Sequence, residues 1–409
     1  MATIAQPRSN STATAIVLLL GLAILLNYTD RGAIAIAAPR LKPELGLSAT
    51  QFGLAVSAFF WIYAPIQYLI GWACDRWCVY RLLAAGIALW AISTMLMGLA
   101  GSLVALVVLR LLLGLGESIT FPGASKVIAR HVEPRNRGMA NSVVAMGIAL
   151  GPVVGTLAGG MIVAYQGWRP MFAIFGGLTL LWVLPWLSVA RRLSSFSDRS
   201  GEGSLPVGRL LRRWPLWAMG IAHFCPTYTL YFVVTWLPLY LVQSRGFTIQ
   251  QMTWLATLGF LAQAVAAFLT GWISDWWTRS GRDEAVCRRS MMVAAGLLAA
   301  AGVIGLMTAS TSVSIALWLM MLGVSSAIPG VNLYAVAQMF AGPRAAGSFI
   351  GIQNATGNFS GIIMPVVTGA IIDLTGVYDN AFILAAAVSL AGALWWVLGV
   401  PKIEQVTLD

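Results

Sequence analysis

The sequence predicts an all-α membrane protein of twelve transmembrane helices, arranged as two pseudo-symmetric halves of six. Three observations carry this. Of 409 residues, 59% are hydrophobic and only 10% charged, with a mean hydropathy of +0.81, a composition no ordinary soluble domain has. The apolar residues fall into about twelve runs, each long enough to cross a hydrocarbon core of roughly 30 Å. Finally, Gly71-Trp72-Ala73-Cys74-Asp75 closes the second run and Gly271-Trp272-Ile273-Ser274-Asp275 closes the eighth, an internal repeat with a shift of 200 residues.

The spans are placed near 14–38, 50–73, 82–100, 103–129, 138–164 and 170–190, then near 215–242, 252–275, 290–309, 313–340, 346–373 and 379–400. Residues 1–190 form the first half and 215–409 the second. Between them, 191–214 is polar, rich in Ser and Gly and basic at both ends, which reads as a cytoplasmic linker.

Span 1 is too long for the core of a signal peptide and carries Asp30 and Arg31, so it is expected to be retained. Span 4 holds Arg110 and Glu117, seven residues apart. That spacing separates them by about 10.5 Å along the axis and leaves them only about 20° from sharing a face. In span 5, Gly151, Gly155 and Gly159 form a row suited to close helix packing. Spans 7, 10 and 11 contribute polar groups but no acid or arginine at mid-span: His223, Tyr228 and Tyr231, then Ser325 and Ser326, then Asn354 and Asn358. Weaker echoes support the repeat. Phe121-Pro122-Gly123 in span 4 resembles Ile328-Pro329-Gly330 in span 10, and spans 5 and 11 each follow a Pro-Arg pair, Pro134-Arg135 and Pro343-Arg344.

The formal charge of +11 does not point to nucleic acid, because the basic residues cluster between spans. Counted on alternate sides, 18 Lys and Arg fall on one side and four (Arg40, Lys42, Arg169, Arg245) on the other, with Arg31, Arg110 and Lys126 inside spans. The positive-inside rule then puts both termini in the cytoplasm. The four cysteines make no metal-ligand pattern with His131 and His223, so free thiols and no metal are expected. The Asn-x-Ser/Thr matches lie in the cytoplasm or inside spans, which favours a bacterial inner membrane. His131 reads as a loop residue without a nameable partner.

Charges at the centre of a span cost about 3 kcal/mol each on insertion scales, so Asp30, Arg31, Arg110 and Glu117 are expected to face a water-filled cavity or one another. A structural ion pair between helices is the alternative. Two six-span halves place a binding site near the midplane between them, with transport by rocking of one half against the other. Four interior charges that sum to zero become net positive when one acid is protonated. Protonation and anion binding then favour each other.

Gly71-Trp72-Ala73-Cys74-Asp75-Arg76, followed by Arg81, matches the G-x-x-x-D-R-x-x-x-x-R loop of the major facilitator superfamily. Within it the chain resembles the anion:cation symporter family, which includes bacterial galactonate, glucarate and hexuronate carriers, vesicular glutamate transporters and sialin. Asn27-Tyr28-Thr29-Asp30-Arg31, Arg110 to Pro122, His223 to Leu241 and Asn354 to Pro365 carry the likeness.

The resemblance implies the major facilitator fold and proton-coupled uptake of an organic carboxylate such as a sugar acid. Arg31 is similar to the residue that meets the carboxylate, Asp30 and Glu117 to the proton-titrating acids, and Arg110 to their charge partner. Tyr63 and Asn354 match cavity-lining positions, with Tyr228 and Ser325 as further candidates for substrate contact. Asp75, Arg76 and Arg81 are similar to gating residues. Two departures, Thr227 where an asparagine is usual and Gly147-Ile148 where sugar-acid carriers tend to place an amide, give weight to an aromatic or other small carboxylate.

A drug/proton antiporter is a rival that would not need Arg31, and a receptor would be expected to carry extra cytoplasmic domains. No nucleotide loop, metal cluster or activated nucleophile suggests an enzyme. The chain is expected to act as a monomer in the lipid bilayer, with no cofactor besides protons and no nucleic-acid partner.

Overall fold

The computed structural model describes residues 10–132, 137–193 and 207–405. Among them are twelve helices long and apolar enough to cross a membrane. The first six are Ala13–Glu44, Ala49–Gln67, Val79–Met97, Leu103–Ile128, Ser142–Tyr165 and Trp168–Arg191. The second six are Trp214–Ser244, Ile249–Arg279, Glu284–Thr308, Ser312–Ala341, Ser348–Thr375 and Asp379–Leu398. They are numbered here as spans 1 to 12. Most of the linker, and Pro134 and Arg135, lie outside the described residues, as do the side chains of Asp75, Arg76 and Arg344.

The helices continue through prolines that would break a soluble helix. Pro65, Pro152, Pro185 and Pro226 all sit inside spans, which membrane helices tolerate because neighbouring helices satisfy the freed backbone groups. Span 1 likewise passes Pro39 and Pro43 and ends at Glu44, beyond the expected end near 38. Two spans are interrupted. Span 1 consists of Asn10–Arg31 and Ala33–Glu44 with Gly32 between them, and span 4 of Leu103–Glu117 and Thr120–His131. Each break follows directly on a charged residue of the interior, Arg31 or Glu117.

Spans 1 and 5 pack in parallel through a row of small residues. A Cβ on Gly147, Gly151 or Gly155 would lie 2.7, 2.8 and 2.8 Å from the carbonyl oxygens of Gly21, Leu25 and Thr29, so both helices contribute at four-residue intervals. Thr29 also donates to the Gly151 carbonyl at 3.1 Å. Gly159, by contrast, faces the Phe175 ring of span 6. This contact fixes the turn of span 1 that presents Asp30 and Arg31.

The halves meet chiefly through span 2 against span 11 and span 5 against span 8. We call the end of the bundle where span 1 begins the near end and the other the far end. At the far end, Gly369 of span 11 lies against the Ala49 carbonyl, Gly160 of span 5 against Thr253 of span 8, and Phe52 stacks edge-on with Trp236 at 5.6 Å. Gln250 donates to the Tyr165 hydroxyl across the same gap. Toward the near end the halves part around a cavity. His131, expected in a loop without a partner, instead ends the second helix of span 4 and hydrogen-bonds the Tyr80 hydroxyl.

A side chain at Gly155 would collide with the Thr29 backbone, a contact that cannot yield as a flexible side chain would. Gly155→Ala should cost about 1–3 kcal/mol, the usual penalty of overpacking. It should therefore lower the midpoint of thermal unfolding in detergent, and an unchanged midpoint would show that spans 1 and 5 are not held this closely.

Candidate functional site

Between the halves lies a cavity of about 1340 Å³, large enough for a small organic molecule with water around it. Its wall includes Cys74, Lys126 and Arg130 at the near end and reaches Ile36, Leu237 and Met252 toward the far end. Lys126 donates to the Cys74 carbonyl at 2.5 Å, bracing spans 4 and 2 at the mouth.

Arg31 is the charged group set deepest in this wall. The break at Gly32 ends its helix there, and its side chain keeps 20% exposure. Nε donates to Glu117 Oε2 at 2.9 Å and Nη2 donates to the Tyr63 hydroxyl at 2.8 Å. The guanidinium lies 4.7 Å from the centroid of the Tyr63 ring, 4.9 Å from that of Tyr28 and 5.6 Å from that of Phe59. Aromatic faces stabilise a cation where water is scarce. The Tyr63 hydroxyl accepts from Arg31, so its own proton is free to donate.

Glu117 is fully buried behind Arg31, with Oε1 unbonded and the fully buried amide of Asn27 nearby. Arg31 and Glu117 thus form an ion pair in the interior of the bundle. Arg110 makes no ion pair with either acid, contrary to expectation. Its Nη2 donates to the Val56 carbonyl at 3.0 Å and its guanidinium lies 5.0 Å from the Phe59 centroid. The seven-residue spacing aligns Arg110 with Glu117 around the helix, but the distance along the axis leaves them two turns apart.

Asp30 also departs from the expectation of one shared space. It points away from Arg31 into the packing of spans 3 and 6, where Oδ2 accepts from Trp90 Nε1 at 2.6 Å and from Thr179 Oγ1 at 3.2 Å. Consecutive helical residues are about 100° apart, so one faces the cavity and the other the helix bundle. Oδ1 of Asp30 is buried without a partner.

The second half supplies neutral polar groups. Asn354 donates to Gln67 Oε1 at 3.1 Å, across the two halves, and accepts from the Tyr334 hydroxyl at 3.2 Å. Tyr231 donates to Asn358 Oδ1 at 2.7 Å. His223 lines the wall with its ring against Gly357 and edge-on to Tyr334 at 6.0 Å, and its Nδ1 has no partner. Gln263, Thr227 and Ser326 also line the cavity, although Thr227 turns its hydroxyl back to the His223 carbonyl.

Two expected contacts fall to a nearby residue of the same type, three positions on for the tyrosine and one for the serine. Tyr228 is buried away from the cavity, which Tyr231 lines instead. Ser325 is buried and donates to the Leu322 carbonyl, while its neighbour Ser326 takes the cavity face. Arg81 is exposed at the start of span 3, outside the cavity wall. Gln67 and Tyr334 were not singled out from the sequence. Gln67 follows Tyr63 by four residues and so shares its face, a usable signal. Tyr334 is one phenol in an apolar run and offers none.

Comparison with known proteins bears on the fold and the family. The model of the Major Facilitator Superfamily matches residues 20–363 and 243–407. A probable sulfoacetate transporter of Cupriavidus necator is 32% identical over 387 residues, covering 90% of this chain and 89% of that protein. A hexuronate transporter of Bacillus subtilis is 29% identical over 395 residues, covering 93% and 92%. Among solved structures, a bacterial homolog of the human lysosomal transporter Spinster, inward-facing and occupied, superposes with a TM-score of 0.76 at 18% identity, covering 97% of each chain. A twelve-helix bundle in two halves, a cavity between them and these matches lead to one assignment: the chain belongs to the Major Facilitator Superfamily and is a membrane transporter, not an enzyme.

Proposed function

We propose that this transporter carries an organic carboxylate anion into the cell together with protons, with Arg31 as the anchor for the carboxylate. The observation that carries the reading is the division of one guanidinium between three directions. Nε is held by Glu117 and Nη2 by Tyr63, while Nη1 makes no hydrogen bond and the side chain keeps access to the cavity. Arginine stays charged and presents its donors in a fixed fork, which suits a carboxylate. The free Tyr63 proton adds a second donor beside it.

Coupling follows from the same contacts. Ionised Glu117 neutralises Arg31 and competes with any incoming anion. A proton on Glu117 weakens that bond, leaves the arginine charge to the substrate and makes the site net positive. Binding and protonation then reinforce each other, and by linkage the effect is reciprocal. Asp30, one residue before Arg31 and held by Trp90 and Thr179, is proposed as a second proton site, acting through the turn it shares with Arg31. Arg110 raises the positive potential beneath the pair without bonding to it.

The hydroxyls and amides opposite Arg31 suit a hydroxylated carboxylate such as a sugar acid, the class for which the Bacillus subtilis hexuronate transporter is named. A specific observation favours a second reading: Ile148 and Phe121 line the cavity, and Thr227 spends its hydroxyl on its own helix. These suit a smaller, less hydroxylated anion, and the relative named for sulfoacetate fits that class. A cationic drug finds no unpaired acid in the described wall. The distribution of Lys and Arg supports placing the near end in the cytoplasm of a bacterial cell, so that this cavity faces inward. Asp75, Arg76 and Arg81 remain proposed as parts of the gate there.

Three outcomes are expected, the first in proteoliposomes and the others in ligand binding to the purified protein. Glu117→Gln should bind and exchange substrate yet lose accumulation driven by a pH gradient; accumulation equal to that of the parent would remove Glu117 from the coupling. Arg31→Ala should weaken carboxylate affinity at least ~30-fold, since truncating one member of a buried charged contact costs about 2–5 kcal/mol. In a thermal-shift series, Arg31→Lys should fall between the two, about tenfold weaker, because a point charge replaces the fork; parent-like affinity in either Arg31 variant would move the anion site elsewhere.

A further inference from the structure

A contact between the halves at the far end joins a side chain of one half to the backbone of the other. Asp373, in the last turn of span 11, accepts from the Ala49 N–H through Oδ1 at 2.9 Å and from the Thr50 N–H through Oδ2 at 2.8 Å. Ala49 and Thr50 are the first two residues of the helix of span 2, so the carboxylate of one half caps a helix of the other.

A helix start leaves its first N–H groups without intrahelical acceptors, and a negative charge there is favoured by the helix dipole. Span 2 meets part of this need within its own half. Ser48 Oγ accepts from the Gln51 N–H and Gln51 Oε1 accepts from the Ser48 N–H. The donors between them, on Ala49 and Thr50, are left to Asp373. The fit is supported by backbone packing on both sides: a Cβ on Gly369 would lie 2.5 Å from the Ala49 carbonyl oxygen, and Gly53 meets the Pro365 carbonyl directly.

We propose that Asp373 is a far-side latch that sets the balance between the state seen here and the state open at the far end. The inference rests on the expectation that transport proceeds by rocking of one half against the other, so that the two ends open in turn (alternating access). Opening the far end requires spans 2 and 11 to part there, and the two bonds must break together because both donors belong to one half and both acceptors to the other. Asp373 is exposed, so its carboxylate and the two N–H groups are hydrated once released. The latch therefore biases the equilibrium without locking it. Substrate contacts play no part in it, so its loss shifts the resting state even in the absence of substrate.

The test uses Ala55, fully buried on span 2 below the latch, as a reporter. Ala55→Cys is introduced after replacing Cys74, Cys78, Cys225 and Cys287 by serine, and an impermeant maleimide is applied from the far side. Asp373→Asn keeps the shape of the side chain and removes the charge and one acceptor. Ala49→Pro removes a donor from the opposite side, at the first helical position where proline is tolerated; Ser48 before it is already extended, as a residue preceding proline must be.

Each variant, once shown monodisperse, should raise the labelling rate about tenfold, the change that one charge-assisted hydrogen bond carries. Together they should give much less than the product of the two, since they break one contact. Parent-like labelling in both variants, or full multiplicativity, overturns the latch. A reporter left unlabelled in the parent and both variants, while labelling normally after denaturation, refutes alternating access itself and the latch with it.

Discussion

A charged guanidinium inside a bilayer has to be answered on every side, and the first half of this protein is arranged around that requirement at Arg31. Its cost is met by one carboxylate, one phenol and the faces of three aromatic rings, with water available in the cavity. The helix that carries Arg31 stops there, as does the helix that carries Glu117. Spans broken at an ion site recur in transporters because unwound backbone is tolerated only where it borders a cavity or other protein. The glycine row of span 5 belongs to the same arrangement. It brings one backbone against another, and so fixes the height and rotation of the turn from Thr29 to Arg31. Rotation matters because Asp30 and Arg31 serve different surroundings. A turn of the helix by one residue would bury the arginine against Trp90 and expose the acid.

The two halves repeat one fold with different chemistry. All four interior charges lie in spans 1 and 4, while spans 7, 10 and 11 face the cavity with phenols, amides and one imidazole. This asymmetry has a physical rationale. A second charged cluster across the cavity would attract or repel the first and so tie the proposed rocking motion to its own charge state. Neutral groups can exchange hydrogen bonds with water, substrate or each other at little net cost. The bond between Asn354 and Gln67, which crosses the halves, is of that exchangeable kind.

Much of this was legible in the sequence because hydrophobicity, charge and repeats leave direct marks on it. Twelve apolar runs give twelve spans, and the charges within two of them single out Arg31 and Glu117. What could not be read is where a side chain points. Asp30 and Arg31 are neighbours in sequence yet differ by about 100° around the helix, so sharing a motif did not mean sharing a space. Tyr228 and Tyr231 differ by about 60°, enough for one to reach the cavity and the other to pack inside the half. Ser325 and Ser326 show the same ambiguity. Helical periodicity assigns relative faces, but a span surrounded by helices, lipid and water has no polar side to set the absolute rotation. Tertiary packing sets it, here through glycines whose spacing was visible and whose partners were not.

Helices in a bilayer gain little from the hydrophobic effect when they associate, because lipid tails are as apolar as the side chains they replace. The preference for one closed end over the other must then come from close packing and a small number of polar contacts. At the far end, Gly53 and Gly369 let spans 2 and 11 approach to backbone distance and Gly160 seats the Thr253 side chain of span 8, which maximises dispersion. At the near end the same spans separate beyond Gln67 and Asn354, and the space between them is open to water. In the proposed alternation, opening the far end gives up the first set of contacts in exchange for a counterpart at the near end. For the two ends to exchange, the energies of the two sets must largely cancel, leaving a difference of the size of one or two hydrogen bonds. On the proposed reading, a carboxylate at the rim, or a proton and an anion at Arg31, is then large enough to decide which end of the protein is closed.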